Sequence, residues 1–348
     1  MLSDRIEAKW IDAFTKALTL CKVEEGEEVA ILSETQSRAL NVHLTELALL
    51  RLGARPFHVT VPTPPQRVPV PVRSTGASDA LRGLKPAIAA LKSSSLVVDL
   101  TVEGMLHAPE LPEIISDGAR LFMISNEHPD ALERLLPDPA LTPKVKAAVK
   151  MLRAASAMTV VSNAGTDLKV NLTDAPTAGV WGYCDRPGTV AHWPGGVVVS
   201  FPGAKTVNGR LVLDVGDINL TFKRYLQDQV ILTIEDDYVV DISGKGTDVE
   251  LIRRYFAAWD DPAAYATSHV GWGMNPAARY EALTMYDQRE TNGTELRAYP
   301  GNFLYSTGAN EFAKRYTLGH FDLPVGHCTI ALDGKTVIED GNLLGELA

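Results

Sequence analysis

The sequence is poor in cysteine, in positive charge and in long apolar runs. Its 348 residues include only three cysteines, whose wide spacing excludes a disulfide framework and a zinc knuckle and makes sulfur ligation improbable. Lys and Arg number 33 against 43 Asp and Glu, and the net charge of −10 argues against nucleic acid or an anionic membrane as the main partner. No targeting segment is visible and no apolar run reaches the ~18–20 residues of a membrane span, so we expect a cytoplasmic protein with a small-molecule partner.

Signatures of several familiar enzyme classes are also missing. The sequence has no P-loop, no Gly-x-Gly-x-x-Gly after the first predicted strand, no His-Glu-x-x-His, no Gly-x-Ser-x-Gly and no Cys-x-x-Cys. It therefore gives little support for NAD or ATP as a cofactor. Eight histidines remain as the candidates for difficult chemistry.

The first half of the chain alternates helical patterns with short apolar strands. Apolar residues at three- and four-residue spacing predict an amphipathic helix from Asp4 to Cys21. The alternation favours a parallel sheet covered on both faces, so we expect an α/β fold with a Rossmann-like N-terminal domain over residues 1–155. The further elements predicted here are strands at 29–32, 56–61, 96–100 and 121–124, and helices through Leu40, Leu44 and Leu47 and at 81–91, 131–136 and 145–154.

The second half has a different sequence pattern, which predicts an α+β C-terminal domain over residues 156–348. Strands and turns prevail from Met158 to Gly244 and include a predicted hairpin with arms at 230–233 and 238–241. One helix is predicted at 248–259. Gly-rich loops are expected from His269 to the C-terminus.

Three residues of the second half could hold a metal ion. His320 and Asp322 are two residues apart, so their side chains share a face if the segment is extended. With His269 they could form the two-histidine, one-carboxylate site that leaves coordination positions open on Fe(II). By spacing alone a simpler interpretation is favoured, in which a His and an Asp cap loops or bond each other in a packed turn.

Two further histidines lie where a substrate could be contacted. His107 follows the third predicted strand, and open parallel sheets present catalytic groups at that end of their strands. It is either a base or a loop histidine in solvent. His192 lies in a Gly-rich turn beside Trp193 and could donate a hydrogen bond to a polar ring substituent, or it is part of a structural turn.

The remaining four histidines are assigned to packing or to the surface. His43 lies on the leucine-bearing face of the second predicted helix and is interpreted as a core or boundary residue. His58 falls in a strand, His128 at a helix start and His327 near the C-terminus. The segment Asp214–Asp217 is interpreted as a turn and not as a pair of catalytic carboxylates.

Six short motifs occur in an order and spacing that resemble one enzyme family. They are Leu106-His107-x-Pro109-Glu110, His192-Trp193-Pro194, Leu213-Asp214-Val215-Gly216-Asp217-Ile218, Ser268-His269-x-Gly271-Trp272-Gly273, Tyr299 with Gly301-Asn302-Phe303-Leu304-x-Ser306-Thr307-Gly308, and His320-x-Asp322-x-Pro324. Over nearly its whole length the chain resembles the 2,5-dihydroxypyridine 5,6-dioxygenases of bacterial nicotinic acid degradation, which are related in fold to the M29 metallo-aminopeptidases.

The resemblance implies a non-haem Fe(II) enzyme that opens 2,5-dihydroxypyridine between C5 and C6 with O2 to give N-formylmaleamic acid. It also implies that the protein forms a homo-oligomer with six subunits, a hexamer. His107 becomes the candidate base, and His192 the candidate substrate-binding residue. Ser306 rests on the resemblance alone, because a neutral hydroxyl is a poor ligand beside imidazole and carboxylate. The iron ligands that the resemblance implies are His269, Ser306, His320 and Asp322.

The chain departs from the family pattern in two places, and two other functions stay open. A proline is inserted in Tyr299-Pro300-Gly301, and Leu318-Gly319 makes the approach to His320 more flexible, so both are expected to alter the pocket. The alternative enzyme is an M29-like metallo-aminopeptidase, whose two metals need glutamates and a tyrosine besides a His-x-Asp pair. A non-catalytic binding protein is the third possibility. We expect the site at the junction of the two predicted domains.

Overall fold

The computed structural model describes residues 5–65 and 77–348. No helix in these ranges is both long and apolar enough to cross a membrane. The helices are α1 (Ala8–Leu20), α2 (Ala39–Arg51), α3 (Lys85–Ser93), α4 (Leu111–Ile115), α5 (Pro129–Arg134), α6 (Leu141–Ala154), α7 (Thr247–Ala258), α8 (Ala282–Met285) and α9 (Thr294–Ala298), with 3-10 turns at Pro262–Tyr265, Gln288–Glu290, Glu311–Ala313 and Gly345–Leu347. The strands are β1 (Glu28–Glu34), β2 (Arg55–Val61), β3 (Leu96–Asp99), β4 (Arg120–Ile124), β5 (Ala157–Ser162), β6 (Asp167–Asn171), β7 (Thr177–Val180), β8 (Val190–Trp193), β9 (Val197–Ser200), β10 (Val207–Leu213), β11 (Ile218–Asn219), β12 (Arg224–Tyr225), β13 (Val230–Glu235), β14 (Tyr238–Gly244), β15 (Thr267–Gly273), β16 (Phe303–Thr307), β17 (Phe321–Val325), β18 (Cys328–Leu332), β19 (Lys335–Glu339) and β20 (Asn342–Leu343).

The first half forms the predicted parallel sheet, in the order β2-β1-β3-β4-β8. Residues of α1 and α2 pack on one face of the sheet and residues of α3 and α4 on the other, so β3 and β4 are buried throughout. The α/β fold class is therefore confirmed. The fifth strand, β8, comes from beyond residue 155, so the sheet crosses the predicted domain division, which stays a prediction. The predicted helix start at Asp4 lies outside the described residues.

Two large antiparallel sheets and the two-stranded pair β11-β12 occupy most of the second half. One has eight strands in the order β14-β13-β10-β6-β5-β18-β19-β20, and the other has five in the order β17-β16-β15-β9-β7. Buried apolar residues of both sheets, of α6 and of α7 form one continuous core. The predicted hairpin is confirmed as β13 and β14.

The prediction of Gly-rich loops from His269 to the C-terminus is wrong, because strands β15 to β20 occupy much of this part of the chain. The glycines there allow strands to approach each other closely. A Cβ on Gly271, in the middle of β15, would lie 1.9 Å from the carbonyl oxygen of Val198 on the neighbouring strand. Glycine inside a strand often marks such a close approach, which a sequence pattern does not distinguish from a turn.

The prediction for His43 is also wrong, since its side chain is exposed. The buried stripe of α2 runs through Leu40, Leu44 and Ala48, whereas Leu47 lies beside His43 on the outer edge. The predicted turn at Asp214–Asp217 is confirmed, because the backbone N–H of Asp217 donates to the carbonyl oxygen of Asp214 and the backbone N–H of Asp214 donates to Oδ2 of Asp217.

Candidate active site

A cavity of about 400 Å³ lies between the parallel sheet and the five-stranded antiparallel sheet. It brings together four of the eight histidines with the carboxyl groups of Glu103, Glu311 and Asp322. The residues that line it come from β8 and the loop after β3 on one side, and from β7, β9, β15, β16 and the start of β17 on the other. Such a cavity, mostly apolar with a few polar groups, is the usual form of a small-molecule site. The titratable predicted residues on its wall are His107, His192, His269, His320 and Asp322.

The segment of His320 and Asp322 is extended, which is the condition under which their side chains share a face. Asp322 pairs with Ser306 across the register of β16 and β17, and the Ser306 hydroxyl donates a hydrogen bond to Oδ1 of Asp322. Nε2 of His320 lies 3.2 Å from the same oxygen. Gly308, with φ +97°, ends β16, and a Cβ there would lie 2.5 Å from the carbonyl oxygen of Gly319, so glycine lets the two strands meet next to His320.

His269 completes the group from β15. Its Nε2 lies 3.7 Å from Oδ1 of Asp322, and its ring centroid is 5.3 Å from that of His320. Burial lowers the pKa of both histidines, so the imidazoles are neutral. Burial alone would raise the pKa of Asp322, but the Arg297 guanidinium, together with a hydrogen bond from His320, holds it well below its usual value. The site therefore presents two neutral nitrogens around one anionic oxygen.

Arg297, which sequence reasoning missed, fixes the orientation of Asp322. It lies on α9 and its Nε donates a hydrogen bond to Oδ2 of Asp322. The other oxygen, Oδ1, is the one that faces both imidazoles. Groups that hydrogen-bond to a metal-binding carboxylate in this way orient the ligands and tune their affinity for the metal.

Glu127 anchors the helix that carries Arg297. Its buried carboxylate accepts backbone N–H groups from Asn292 at 2.8 Å, Gly293 at 2.8 Å and Thr294 at 3.1 Å. These groups precede or begin α9 and have no partner within so short a helix. The amine of the buried Lys223 lies next to the same carboxylate and donates a hydrogen bond to the carbonyl oxygen of Asn292.

The loop after β3 positions His107 against the other two imidazoles. Asp99, at the end of β3, accepts hydrogen bonds from the backbone N–H groups of Thr101 at 2.9 Å and Met105 at 2.7 Å. The His107 ring centroid is 4.4 Å from that of His320 and 5.9 Å from that of His269. The solvent-loop interpretation of His107 is therefore wrong, since only 9% of its side chain is exposed.

The structure reverses the hydrogen-bonding role expected of His192. Nδ1 of His192 lies 2.6 Å from the carbonyl oxygen of Pro194, and a carbonyl can only accept, so Nδ1 carries the hydrogen. Burial lowers the pKa of His192 to about 4. A neutral imidazole has one N–H, so Nε2 keeps its lone pair and is able to accept a hydrogen bond, where donation was expected.

The donor set fits a metal ion. Within the described ranges, the one group of three or more His, Cys, Asp or Glu residues whose ligand atoms lie close enough for a shared ion is His107, His269 and His320, with atoms within 4.8 Å of one another. Asp322 adds an anionic oxygen next to two of them. Two imidazoles and a carboxylate suit Fe(II) with open positions, and a third imidazole is within reach. The Ser306 hydroxyl borders this set as a hydrogen-bond donor to Asp322.

The two departures from the family pattern, the inserted Pro300 and the Leu318-Gly319 pair, do not have the expected effects on the pocket. Pro300 and Gly301 line a separate cavity, near Asp217 and Tyr280, and do not line the one that holds the histidines. Gly319 is required by packing, because a Cβ there would lie 2.5 Å from Cβ of Ala264. The expected flexibility before His320 is therefore replaced by close contact.

Replacing Glu127 with alanine is expected to destabilise the protein by about 3 kcal/mol or more, because three buried N–H groups lose a charged acceptor. Thermal unfolding should show a midpoint several degrees below that of the wild type. Glu113→Ala, at an exposed position on α4, is the matched control and should leave the midpoint unchanged. An unchanged midpoint for Glu127→Ala would show that this carboxylate does not anchor α9.

Comparison with known proteins identifies the family. A family model described as 2,5-dihydroxypyridine 5,6-dioxygenase matches residues 9–345. The 2,5-dihydroxypyridine 5,6-dioxygenase of Pseudomonas putida is 35% identical over 341 residues, which are 97% of this chain and 96% of that protein. The solved structure of 2,5-dihydroxypyridine dioxygenase from Pseudomonas putida matches with a TM-score of 0.93 at 34% identity and covers 99% of this chain and 100% of that chain. The structure of AmpT from Thermus thermophilus, at 15% identity and a TM-score of 0.64 over 97% of this chain and 99% of that one, shares the fold alone. The chain thus belongs to the 2,5-dihydroxypyridine 5,6-dioxygenase family.

Proposed function

We propose that this protein is an Fe(II)-dependent dioxygenase that opens 2,5-dihydroxypyridine between C5 and C6 and inserts both atoms of O2 to give N-formylmaleamic acid. The observation that carries the proposal is the convergence of His269, His320 and Asp322 on the wall of a small, mostly apolar cavity. Membership of the family supports the substrate. The homo-hexamer and the cytoplasmic location stay predictions.

We assign Fe(II) to Nε2 of His269, Nε2 of His320 and Oδ1 of Asp322, with Ser306 as a fourth ligand. When bound there, Fe(II) would supply open coordination positions and the redox chemistry by which O2 reacts with an electron-rich ring. The chain's part is to keep the imidazoles neutral through burial and to hold Asp322 by Arg297.

His107 is assigned as the base. Loss of the ring hydroxyl proton makes the ring more electron-rich, and an imidazole is suited to take that proton near neutral pH. Because both oxygen atoms enter the product and no group leaves, the proton taken by His107 has to be returned before the next turnover. This assignment is supported by the short distance of 4.4 Å between the ring centroids of His107 and His320.

The cavity walls hold the ring and keep water away from it. Phe201 packs edge-on against His269, with centroids 5.4 Å apart, and Phe312 packs against Phe201 at 4.8 Å. On the opposite side, Nε2 of His192 is a hydrogen-bond acceptor on a neutral ring, so it suits a donor on the substrate such as a ring N–H or a hydroxyl. Further apolar residues on the wall are Leu106, Leu111, Met123, Val199 and Leu304.

Replacing His192 with alanine is expected to weaken substrate binding about tenfold, since one buried hydrogen bond contributes about 1–1.5 kcal/mol. Anaerobic titration of the Fe(II)-loaded protein with 2,5-dihydroxypyridine, followed by ultraviolet absorbance, gives the Kd. His327→Ala is the matched control, because 86% of the His327 side chain is exposed. Equal affinities for His192→Ala and the wild type would remove His192 from the substrate site.

The proposed function is tested by loading the protein with Fe(II) without oxygen and then following O2 uptake with a panel of hydroxylated pyridines. We expect one O2 consumed per ring opened, with the highest kcat/KM for 2,5-dihydroxypyridine. Two outcomes would contradict the proposal. Hydrolysis of an aminoacyl amide with two zinc or cobalt ions per chain would indicate an aminopeptidase, and ring binding without O2 uptake would indicate a binding protein.

A further inference from the structure

A contact between His107 and Glu311 joins two distant parts of the chain at the edge of the cavity. Nδ1 of His107 lies 3.3 Å from Oε2 of Glu311, although the residues are separated by 204 positions in the sequence. The exposed fraction of the Glu311 side chain is 28%. Glu311 lies in the 3-10 turn Glu311–Ala313, between β16 and β17, and its side chain lines the cavity.

The turn that carries Glu311 is fixed to the strand that carries His269. The fully buried Asn310 donates a side-chain hydrogen bond to the carbonyl of Ser268 at 2.9 Å and accepts one from the backbone N–H of Ala313 at 3.0 Å. Nε of Arg315 donates to the carbonyl of Gly308 at 2.9 Å. Glu311 is therefore held in place relative to the assigned metal ligands.

The chemistry of this contact selects one form of the imidazole. An ionised carboxylate can only accept, so Nδ1 of His107 carries the hydrogen and Nε2 keeps the lone pair that a base needs. When the imidazole takes up a second proton, the carboxylate also stabilises the cation that forms. The same arrangement of carboxylate, imidazole and proton donor recurs in enzymes of unrelated folds.

We propose that Glu311 is a positioning residue that holds His107 in its Nδ1–H form and stabilises the imidazolium produced when the ring hydroxyl is deprotonated. This inference rests on the proposed function, in which His107 is the base. The hydrogen-bond partner of the Glu311 carboxylate is His107. Glu311 thus acts through His107, so its removal should slow the chemical step and leave the metal and the substrate in place.

The experiment compares Glu311→Ala and Glu311→Gln with the wild type after anaerobic Fe(II) loading. For Glu311→Ala we expect kcat to fall about 10–100-fold, the range usual for loss of an orienting partner, with KM within about twofold and full iron content. Glu311→Gln keeps an oxygen that accepts a hydrogen bond from Nδ1 of His107 but loses the charge. Its kcat should therefore lie between those of the wild type and Glu311→Ala. Lys314→Gln removes a charge from an exposed position in the same loop and should match the wild type.

A second readout does not depend on turnover. Deprotonation of a hydroxypyridine shifts its ultraviolet absorption, so the anaerobic difference spectrum of the bound ring reports whether the proton has left it. We expect the spectrum of the deprotonated ring in the wild type and a weaker one in Glu311→Ala, at the same substrate Kd.

Two results would overturn the inference while leaving the proposed function intact. One is a wild-type kcat and spectrum in both Glu311 variants. The other is a loss of iron in proportion to the loss of kcat, which would make Glu311 a support for a metal-ligating His107. Failure of the proposed function would give a result distinct from these two, because the Fe(II)-loaded wild type would then consume no O2 with any hydroxypyridine.

Discussion

Replacing Asp322 with alanine is expected to abolish iron binding, with a loss of Fe(II) affinity of more than about 100-fold, since even orienting partners of a ligand change affinity 10–100-fold. Asp322 is the one anionic member of the assigned ligand set, and its Oδ1 faces both His269 and His320. The metal content after anaerobic loading and gel filtration, measured by atomic emission, should fall from one iron per chain to near zero.

The design of this test has to separate ligand loss from misfolding. Alanine at 322 leaves the buried guanidinium of Arg297 without its carboxylate, which is itself destabilising. Asp322→Asn keeps an oxygen for Arg297 and removes the charge, so it should stay folded and still lose iron. Asp214→Asn, on the exposed turn, is the control and should keep full iron. Full iron occupancy in both Asp322 variants would refute the assignment of this ligand.

Replacing His107 with alanine is expected to lower kcat by about 10²–10⁴-fold, the usual contribution of a positioned general base. The iron content should stay at the wild-type level, because the account places His107 beside the ligand set and not in it. Oxygen uptake gives kcat and atomic emission gives the metal content of the same samples. His128→Ala, at the start of α5 and outside the cavity, is a suitable control for loss of an imidazole.

Two outcomes for His107→Ala would contradict the role assigned to His107. An unchanged kcat would show that His107 is not the base. Loss of iron would instead make His107 a third imidazole ligand, an arrangement that the close approach of the three rings allows. The two outcomes are distinguished by the metal content alone.

Local patterns predicted the parts of the structure that depend on neighbours in sequence. The alternation of apolar strands with amphipathic helices predicted the parallel sheet, and the two-residue spacing of His320 and Asp322 predicted a shared face on an extended segment. The position of His107 after β3 placed it correctly at the end of a parallel strand. In these cases the geometry follows from the period of a strand or a helix.

The rest of the site depends on pairing between distant strands, which no local pattern records. Arg297 and Glu311 become functional candidates only because β15, β16 and β17 lie side by side. His192 was identified, but its role as an acceptor follows from the backbone carbonyl of Pro194 that its ring meets in the folded chain. Gly271 looked like part of a loop and instead allows two strands to touch.

The proposed function depends on a single Fe(II) held by His269, His320 and Asp322 on the wall of the cavity. Crystals grown and loaded with Fe(II) without oxygen, measured at the iron absorption edge, test it most directly. We expect one anomalous peak per chain, bounded by Nε2 of His269, Nε2 of His320 and Oδ1 of Asp322. A peak elsewhere, or two peaks in the cavity, would contradict it.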